Sequence, residues 1–229
     1  MKISVIIPAF NEEKYLERTL EAIVAQDYPD FEVIVVDNAS TDKTAEIAKS
    51  FSKVKVLFEG NKGTMWACER GRKEAAGDII VRMDADCLPE KDWLSKGAVF
   101  FKDEKIVGGS GPYFYYDASK FFRWFTLIGQ QSIYYPANAI MQVFKIGGIS
   151  VGGNTFMRAS ALQSIGGFDT SLVFYGDDTD IPKRLTEIGK FVYSPRLVMP
   201  TSNRRFEAHG YFKLMSTYIF HFFKVIFSK

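Results

Sequence analysis

The chain has 229 residues, 47% hydrophobic and 24% charged, which sets aside disorder and leaves room for one α/β domain with a sizeable core, with or without an appendage. A formal net charge of +2 is too small to point to nucleic acid, and two separated cysteines with only two histidines argue against a zinc site and for a reducing compartment. The unusual number is 15% aromatic, with 21 phenylalanines and 11 tyrosines gathered mainly in residues 100–144 and 206–227.

The opening, MKISVIIPAFNEE, has a short apolar run stopped by Pro8, too short for the h-region of a signal peptide and suited to a buried first strand over Ile3–Ile7. Secretion is therefore not expected. Asn11 is placed to cap a following helix, with Glu12 and Glu13 complementing the dipole of its first turn. Leu16, Leu20 and Ile23 fall at helical spacing until DYPD breaks the pattern. FEVIVVD reads as a second buried strand, STDKTAEIAKSF as a second helix capped by Ser40 or Thr41, and VKVLF as a third strand. TMWACERGRKEA then reads as a third helix and DIIVRMD as a fourth strand. Four strand–helix alternations within 90 residues predict an open parallel sheet with right-handed crossovers.

In such sheets ligands bind beyond the carboxyl ends of the strands, so the residues there carry the functional information. They are Pro8, Ala9 and Asn11 after the first strand and Asp37, Asn38 and Asp42 after the second. Asn61 and Lys62 follow the third, and Asp84, Ala85 and Asp86 the fourth. Neither G-x-G-x-x-G nor G-x-x-x-x-G-K-[ST] occurs, which disfavours a dinucleotide oxidoreductase or a P-loop enzyme. Asp84 and Asp86 repel each other unless a positive group sits between them, so the pair points to a metal site. A solvated polar turn is the alternative.

VIIPAFNEE, VVDNASTDKT, NKG and DADC, in that order and spacing, resemble the nucleotide-sugar half of family 2 glycosyltransferases with the GT-A fold. GGNTFMRASALQSIGGFD followed by YGDDTDIPKRL resembles the acceptor half of the same family, and the likeness runs from Ile3 to about Arg205. The resemblance implies an α/β, Rossmann-like open sheet, mainly parallel and flanked by helices. It divides into a nucleotide-sugar half over 1–90 and an acceptor half over 91–205 with an aromatic insertion at about 113–146, followed by an amphipathic helix at 206–229. Asp84 and Asp86 look like the D-x-D pair, with Mg²⁺ or Mn²⁺ between them and the donor diphosphate. Asp37 looks like the residue that binds the donor base and Asp42 like the support of its loop, although Asp37 also fits a helix-initiating turn. Asn38 stands where many relatives have a second aspartate. Lys62 resembles the basic residue beside base and ribose, and is equally placed for the surface. Pro8, Ala9, Asn11 and Ala85 would line the donor site. Asn154 would sit near donor sugar and acceptor, in a loop whose glycines let the backbone approach closely. Asp177 and Asp178 match the acidic pair of an inverting enzyme, with Asp178 as base and Asp177 orienting the acceptor, while Asp180 also fits a helix cap.

Arg204 and Arg205 suit a diphosphate, which adjacent forked donors can grip, or else a cationic approach to a membrane. His209 is a candidate third metal ligand or a structural histidine. YFKLMSTYIFHFFKVIF at 211–227 carries Lys213, His221 and Lys224 and is marginal for a spanning helix. With Lys213, Thr217, His221 and Lys224 on one stripe it fits a helix lying in lipid headgroups. KFFRWFTLIGQQSIYY behaves similarly, setting Lys120, Arg123 and Gln130 against Phe121, Phe122, Trp124, Phe125 and Ile128. Core or a dimer surface is the other use for both. The expectation is thus an inverting transferase using a UDP- or GDP-linked sugar and a lipid-linked or cell-surface glycan acceptor, peripheral at the cytoplasmic face of the cell membrane. A GT-A-like nucleotidyltransferase and a non-catalytic nucleotide-sugar-binding protein are the alternatives.

Overall fold

In the computed structural model, which describes residues 1–172 and 176–227, the first half forms as its patterns predict. Strands β1 (Ile3–Ala9), β2 (Phe31–Asp37), β3 (Val54–Phe58) and β4 (Ile79–Arg82) alternate with α1 (Leu16–Val24), α2 (Thr44–Ser50) and α3 (Thr64–Glu74). The four strands are parallel, with Ile3 opposite both Phe31 and Ile79, and Val33 opposite Val54. The runs are apolar on both faces because both faces are covered. Ile3, Val5 and Ile7 pack with Leu16, Leu20 and Ile23 of α1, while Ile6, Ile34 and Val36 pack with Met65 and Cys68 of α3. Gly71 lets α3 sit close, since a Cβ there would stand 2.5 Å from Ile6 Cγ2.

The second half contains α4 (Trp93–Ala98), β5 (Ile106–Ser110), β6 (Tyr113–Tyr115), α5 (Lys120–Gly129), a π-helical segment (Gln130–Tyr134) and α6 (Tyr135–Phe144). It continues through β7 (Thr155–Arg158), α7 (Ala159–Ser164), α8 (Asp177–Thr186), β8 (Lys190–Tyr193), β9 (Met199–Thr201), α9 (Arg204–His209) and α10 (Tyr211–Phe227). The main sheet runs β3-β2-β1-β4-β7-β5-β8, and β6 pairs with β9 in a short parallel ribbon. β7 runs antiparallel to β4 and β5, so the loop that feeds it arrives at the carboxyl end of β4. That reversal brings the second half of the chain to the edge where β1 to β4 end.

Three local expectations change. Asn11 does not cap α1: it adopts a left-handed conformation (φ 55°), its N–H donates to Ser40 Oγ (3.0 Å), and its Oδ1 accepts from Thr41 N–H (2.8 Å). Ser40 and Thr41 do not cap α2; Asp42 Oδ1 accepts from Thr44 N–H (3.0 Å) in their place. On α10, Lys213 and Lys224 are exposed, but Thr217 and His221 are half-buried beside buried Leu214, and the outward stripe is Phe212, Met215, Ile219, Phe220 and Phe223. A wheel drawn from spacing alone sets the polar stripe in water, whereas packing against α8 and α9 claims part of it. α5 shows the same inversion. Gln130 turns inward to exchange two hydrogen bonds with the Tyr113 backbone and Arg123 to donate to Ala118 O (3.0 Å). Phe121, Trp124, Phe125 and Ile128 face out. Phe122 is the exception, packing on Tyr115, Phe206 and Tyr211. Among the described residues no helix is long and apolar enough to cross a membrane. Tyr175 of the YGDDTD stretch and the last two residues of the C-terminal segment lie outside the described residues.

Candidate active site

The parallel half supplies one wall. Ala9 lies opposite Asp37 at the ends of β1 and β2, and Asn38 N–H donates to Ala9 O (2.8 Å), so these two loops are bolted together. Asp37 is buried, and its Oδ1 accepts from Ser40 N–H (3.1 Å), the helix-initiating turn that the sequence also allowed. Asp42 Oδ2 accepts from Glu13 N–H (3.1 Å) while its Oδ1 serves α2, so it ties the first loop to the second. Hydrogen bonding holds its carboxyl below the usual range despite some burial. Asn38 is committed to the next loop, donating to Glu59 O and Asn61 O (2.9 and 2.7 Å) and accepting from Gly63 N–H (2.8 Å). It shapes the loop carrying Lys62, which is itself exposed.

Asp84, Ala85 and Asp86 leave the end of β4. Thr19 Oγ1 donates to Ala85 O (2.8 Å), fixing the turn from behind. Asp84 is one-third exposed, and its Oδ2 accepts from the Tyr113 hydroxyl (2.8 Å), which in turn accepts from Gly153 N–H (2.6 Å). Burial pushes the Tyr113 phenol well up, so it stays a neutral donor. Asp86 is more enclosed, with Arg204 Nε at 2.8 Å and Thr201 Oγ1 at 3.2 Å. Burial pushes the Asp86 carboxyl up and Asp84 adds to it, against the pull of Arg204. Arg204 Nη2 reaches Glu12 Oε1 (2.5 Å), and its guanidinium lies over the Tyr15 ring, 4.4 Å from the centroid. Glu12 Oε2 is buried without a partner, and burial raises that carboxyl too. Glu12 reads from sequence only as a helix-start acid; in the fold it belongs to the site.

The residues present fit a hard divalent cation. Glu12 and Asp86 share the Arg204 guanidinium with Asp84 beside them, the available ligands are oxygens, and a buried acceptor is left unsatisfied. Mg²⁺ is commonly held by one or two carboxylates together with substrate phosphates, so Asp84 and Asp86 suffice as protein ligands. Among the described residues no three His, Cys, Asp or Glu side chains close on a single point. His209 is exposed at the end of α9 and is not brought to the pair. Chain direction separates it, as α9 turns its first residue, not its last, toward Asp86.

The opposite wall comes from the loop before β7 and the start of α8. A Cβ on Gly153 would stand 2.6 Å from Asp84 Cγ, and one on Gly152 2.5 Å from Asp178 Oδ1, so this loop approaches both carboxylates only as glycine. Asn154 does not face the cleft. It is fully buried, donating to Leu197 O (2.7 Å) and accepting from Trp93 Nε1 (2.9 Å), and so anchors the loop from below. Asp177 is buried, with Arg82 Nη1 2.5 Å from its Oδ2. Asp178 keeps 43% side-chain exposure and stands 3.4 Å from the same nitrogen. Partial burial in the cleft and then the Asp177 charge push its carboxyl up to about 7, against Arg82 and Arg205. Asp180 pairs with Arg184 one turn along and acts on the helix surface, not as its cap. Arg204 and Arg205 diverge: Arg204 serves Asp86 and Glu12, while Arg205 Nη1 donates to Tyr218 on α10 (3.2 Å). Neighbours in sequence, they are separated by helical geometry. Sequence reasoning missed Arg82 and Tyr113 besides Glu12. The signal for Arg82 was a charged residue closing an apolar strand; Tyr113 had none beyond the aromatic run.

The profile of glycosyl transferase family 2 matches residues 4–166. The glycosyltransferase AglE of Haloferax volcanii is 31% identical over 199 residues, covering 82% of this chain and 62% of that protein. The probable glycosyltransferase YdaM of Bacillus subtilis is 32% identical over 213 residues, covering 82% and 47%. The chain thus spans roughly half to three-fifths of these relatives. Among solved structures, the mannosyltransferase PcManGT from Pyrobaculum calidifontis in complex with GDP-Man and Mn²⁺ shares the fold with a TM-score of 0.75, at 23% identity, covering 100% of this chain and 65% of that one. TarS of S. aureus in complex with UDP-GlcNAc does so at 0.66, with 20% identity and coverage of 89% and 59%. With the profile spanning well over half of its length and AglE matching four-fifths of it, the chain belongs to glycosyl transferase family 2.

Proposed function

We propose that this chain transfers a sugar from a UDP- or GDP-linked donor to a hydroxyl of a lipid-linked or cell-surface glycan, inverting the anomeric carbon, at the cytoplasmic face of a membrane. The observation that carries the reading is that Arg82 reaches Asp84 on one side of the cleft and Asp177 and Asp178 on the other. The donor would lie along Pro8, Ala9, Asn11, Asp37 and Lys62, with the Asp42 loop holding their wall. The nucleotide sugars bound by PcManGT and TarS support that donor class. Mg²⁺ or Mn²⁺ held by Asp84 and Asp86 supplies, when bound, neutralisation of the charge that develops on the leaving nucleoside diphosphate. Arg204, already beside Asp86, would add positive charge for that diphosphate. Asp178 accepts the proton of the acceptor hydroxyl as its oxygen bonds to the anomeric carbon and the bond to the diphosphate breaks. A carboxyl poised near 7 suits a base working near neutrality. Asp177, bound by Arg82, orients the acceptor. The unit of 1–205 carries the chemistry. The 206–229 segment and α5–α6 set their outward aromatic faces, edged by Lys120, Lys213 and Lys224, in the headgroup layer.

Calorimetry with Mn²⁺ and UDP or GDP tests the donor assignment: Asp86→Ala should weaken metal-dependent nucleotide binding while the thermal melt is retained. Wild-type affinity in that variant sinks it. A product that keeps the donor's anomeric configuration removes the single-displacement reading.

A further inference from the structure

Arg82 is a buried arginine that closes a central strand of the sheet. Its backbone is locked in the sheet, opposite Ile6 of β1 on one side and Thr155 of β7 on the other, so only the side chain extends beneath the cleft. That side chain is 11% exposed and meets three carboxylates: Asp177 at 2.5 Å, Asp178 at 3.4 Å and Asp84 at 3.7 Å. Its Nε is buried without a partner. A purely structural buried arginine is expected to have its donors satisfied, since an unmatched charged donor weakens the fold. Here the guanidinium is committed toward the cleft at the expense of its own Nε. A Cβ on Gly152 would stand 3.0 Å from Arg82 Nη2 and 2.5 Å from Asp178 Oδ1, so the loop above leaves room for both groups.

Resting on the proposed transfer reaction, we infer that Arg82 is its positioning residue: by taking the Asp177 carboxylate it leaves Asp178 as the proton acceptor, and it ties that base to the Asp84 strand at a set distance. Two adjacent aspartates at the start of a helix are chemically alike, and something must divide their roles. The asymmetry of the two contacts does so. Asp177 has its charge matched at hydrogen-bond distance, whereas Asp178 is held near the same nitrogen without being consumed by it. The groups acting on Asp178 are Asp177 on its own helix, Arg82 from β4, Asp84 from the loop after β4 and Arg205 from α9, with Tyr113 and Tyr134 feeling its charge in turn. Removing Arg82 takes away an attraction for the ionised base. Removing the Asp177 charge takes away a repulsion and frees Arg82 to turn to Asp178. The two changes therefore move the base in opposite directions, which loss of a structural strut does not do.

The test uses the whole chain with Mn²⁺ and UDP-glucose, UDP-GlcNAc or GDP-mannose, water as acceptor, and release of nucleoside diphosphate followed from pH 5 to 9. In Arg82→Met the acid limb of kcat/KM should move up by about one pH unit or more, the effect of losing an opposite charge at this range. Its kcat should fall about tenfold or more with donor KM within about threefold, as for an interaction made in the transition state. In Asp177→Asn the acid limb should move down, and Arg82→Lys should restore the wild-type limb at least in part. Unmoved limbs in folded Arg82→Met and Asp177→Asn overturn the inference and leave the proposed reaction standing. If Arg82→Met does not fold, the direction in Asp177→Asn decides. A wild-type chain that releases nucleoside diphosphate from none of the three sugars defeats the proposed reaction, and the inference with it.

Discussion

In the cleft, Glu12, Asp86 and Asp177 sit with little exposure, and Asp84 beside them at one-third, around Arg82 and Arg204; along α5, α6 and α10 large apolar side chains, from Phe121 to Phe223, stand outward. Folding alone favours neither arrangement. The first gathers charge where water is scarce, and the second leaves aromatic area wet. The two regions depart from the usual partition in opposite senses, while the sheet between them follows it throughout, with Ile3, Ile6, Ile34 and Ile79 fully enclosed. Such local departures, supported by a regular core, are where function is expected. They also differ in how they are held. Cleft side chains are pinned by hydrogen bonds from four separate elements, so their geometry is set before any ligand arrives. The outward aromatics ride on an inner layer in which Phe122 packs on Phe206 and Tyr211, while their own side chains stay widely exposed.

If the cleft is arranged for proton transfer, the largest effect belongs there. Asp178→Asn keeps shape and removes the proton acceptor, so turnover should fall roughly 10²–10⁴-fold while calorimetry shows donor binding retained. Activity within a few-fold of wild type moves the role to Asp177. The exterior is expected to respond next. Replacing Phe212, Phe220 and Phe223 together with serine should cut flotation with phosphatidylserine vesicles at least about tenfold, since each Phe loses up to about 1.5–3 kcal/mol of burial. High salt should weaken binding further through Lys213 and Lys224, each contributing about 1 kcal/mol at an anionic surface. Equal flotation of mutant and wild type would make these faces core or an oligomer interface.

Two smaller effects sharpen the contrast. Asp178 is raised in the folded state above its unfolded value of about 3.9, so between roughly pH 4 and 7 the folded chain binds the extra proton. Stability contributed by that proton is present below the unfolded value and lost as pH rises through about 7. Asp178→Asn should therefore melt above wild type at pH 8 and match it at pH 4, by a modest margin because the side chain is 43% exposed. A melt difference that does not change with pH removes the assignment. Phe212 is 94% exposed, so Phe212→Ser without membranes should shift unfolding free energy by less than about 0.5 kcal/mol in a denaturant titration. A larger loss would mean that the face is packed in solution.

Much of the wall formed by the parallel half was legible because it is local. Short apolar runs bounded by Asn, Asp and Gly put β1, β2 and β4 in place, and with them the positions of Asp37, Asp84 and Asp86. What was lost was assigned to the wrong partner. Asn11 carries a capping residue's chemistry but bonds across to the second loop, because its positive φ turns it away from α1. Asn154 carries the chemistry of a ligand contact but is consumed by Trp93 and Leu197. Both are polar residues at a predicted edge, and residue type does not say which neighbour takes the hydrogen bond.

The sequence by itself determined the alternation of strands and helices, the edge at which acidic loops collect, and the amphipathic period of the aromatic helices. Each is encoded within a few residues, by β-branched runs, turn residues and helical spacing. Only the tertiary structure decided that Arg82 lies between Asp84 and Asp177, that Arg204 reaches Glu12 across 192 positions while Arg205 turns to Tyr218, and which face of α10 looks outward. Period fixes that a helix has two faces, but the choice between them depends on what the rest of the chain packs against it. Contacts this distant in sequence are set by the antiparallel entry of β7 and by the ends of α8 and α9, which no local pattern specifies.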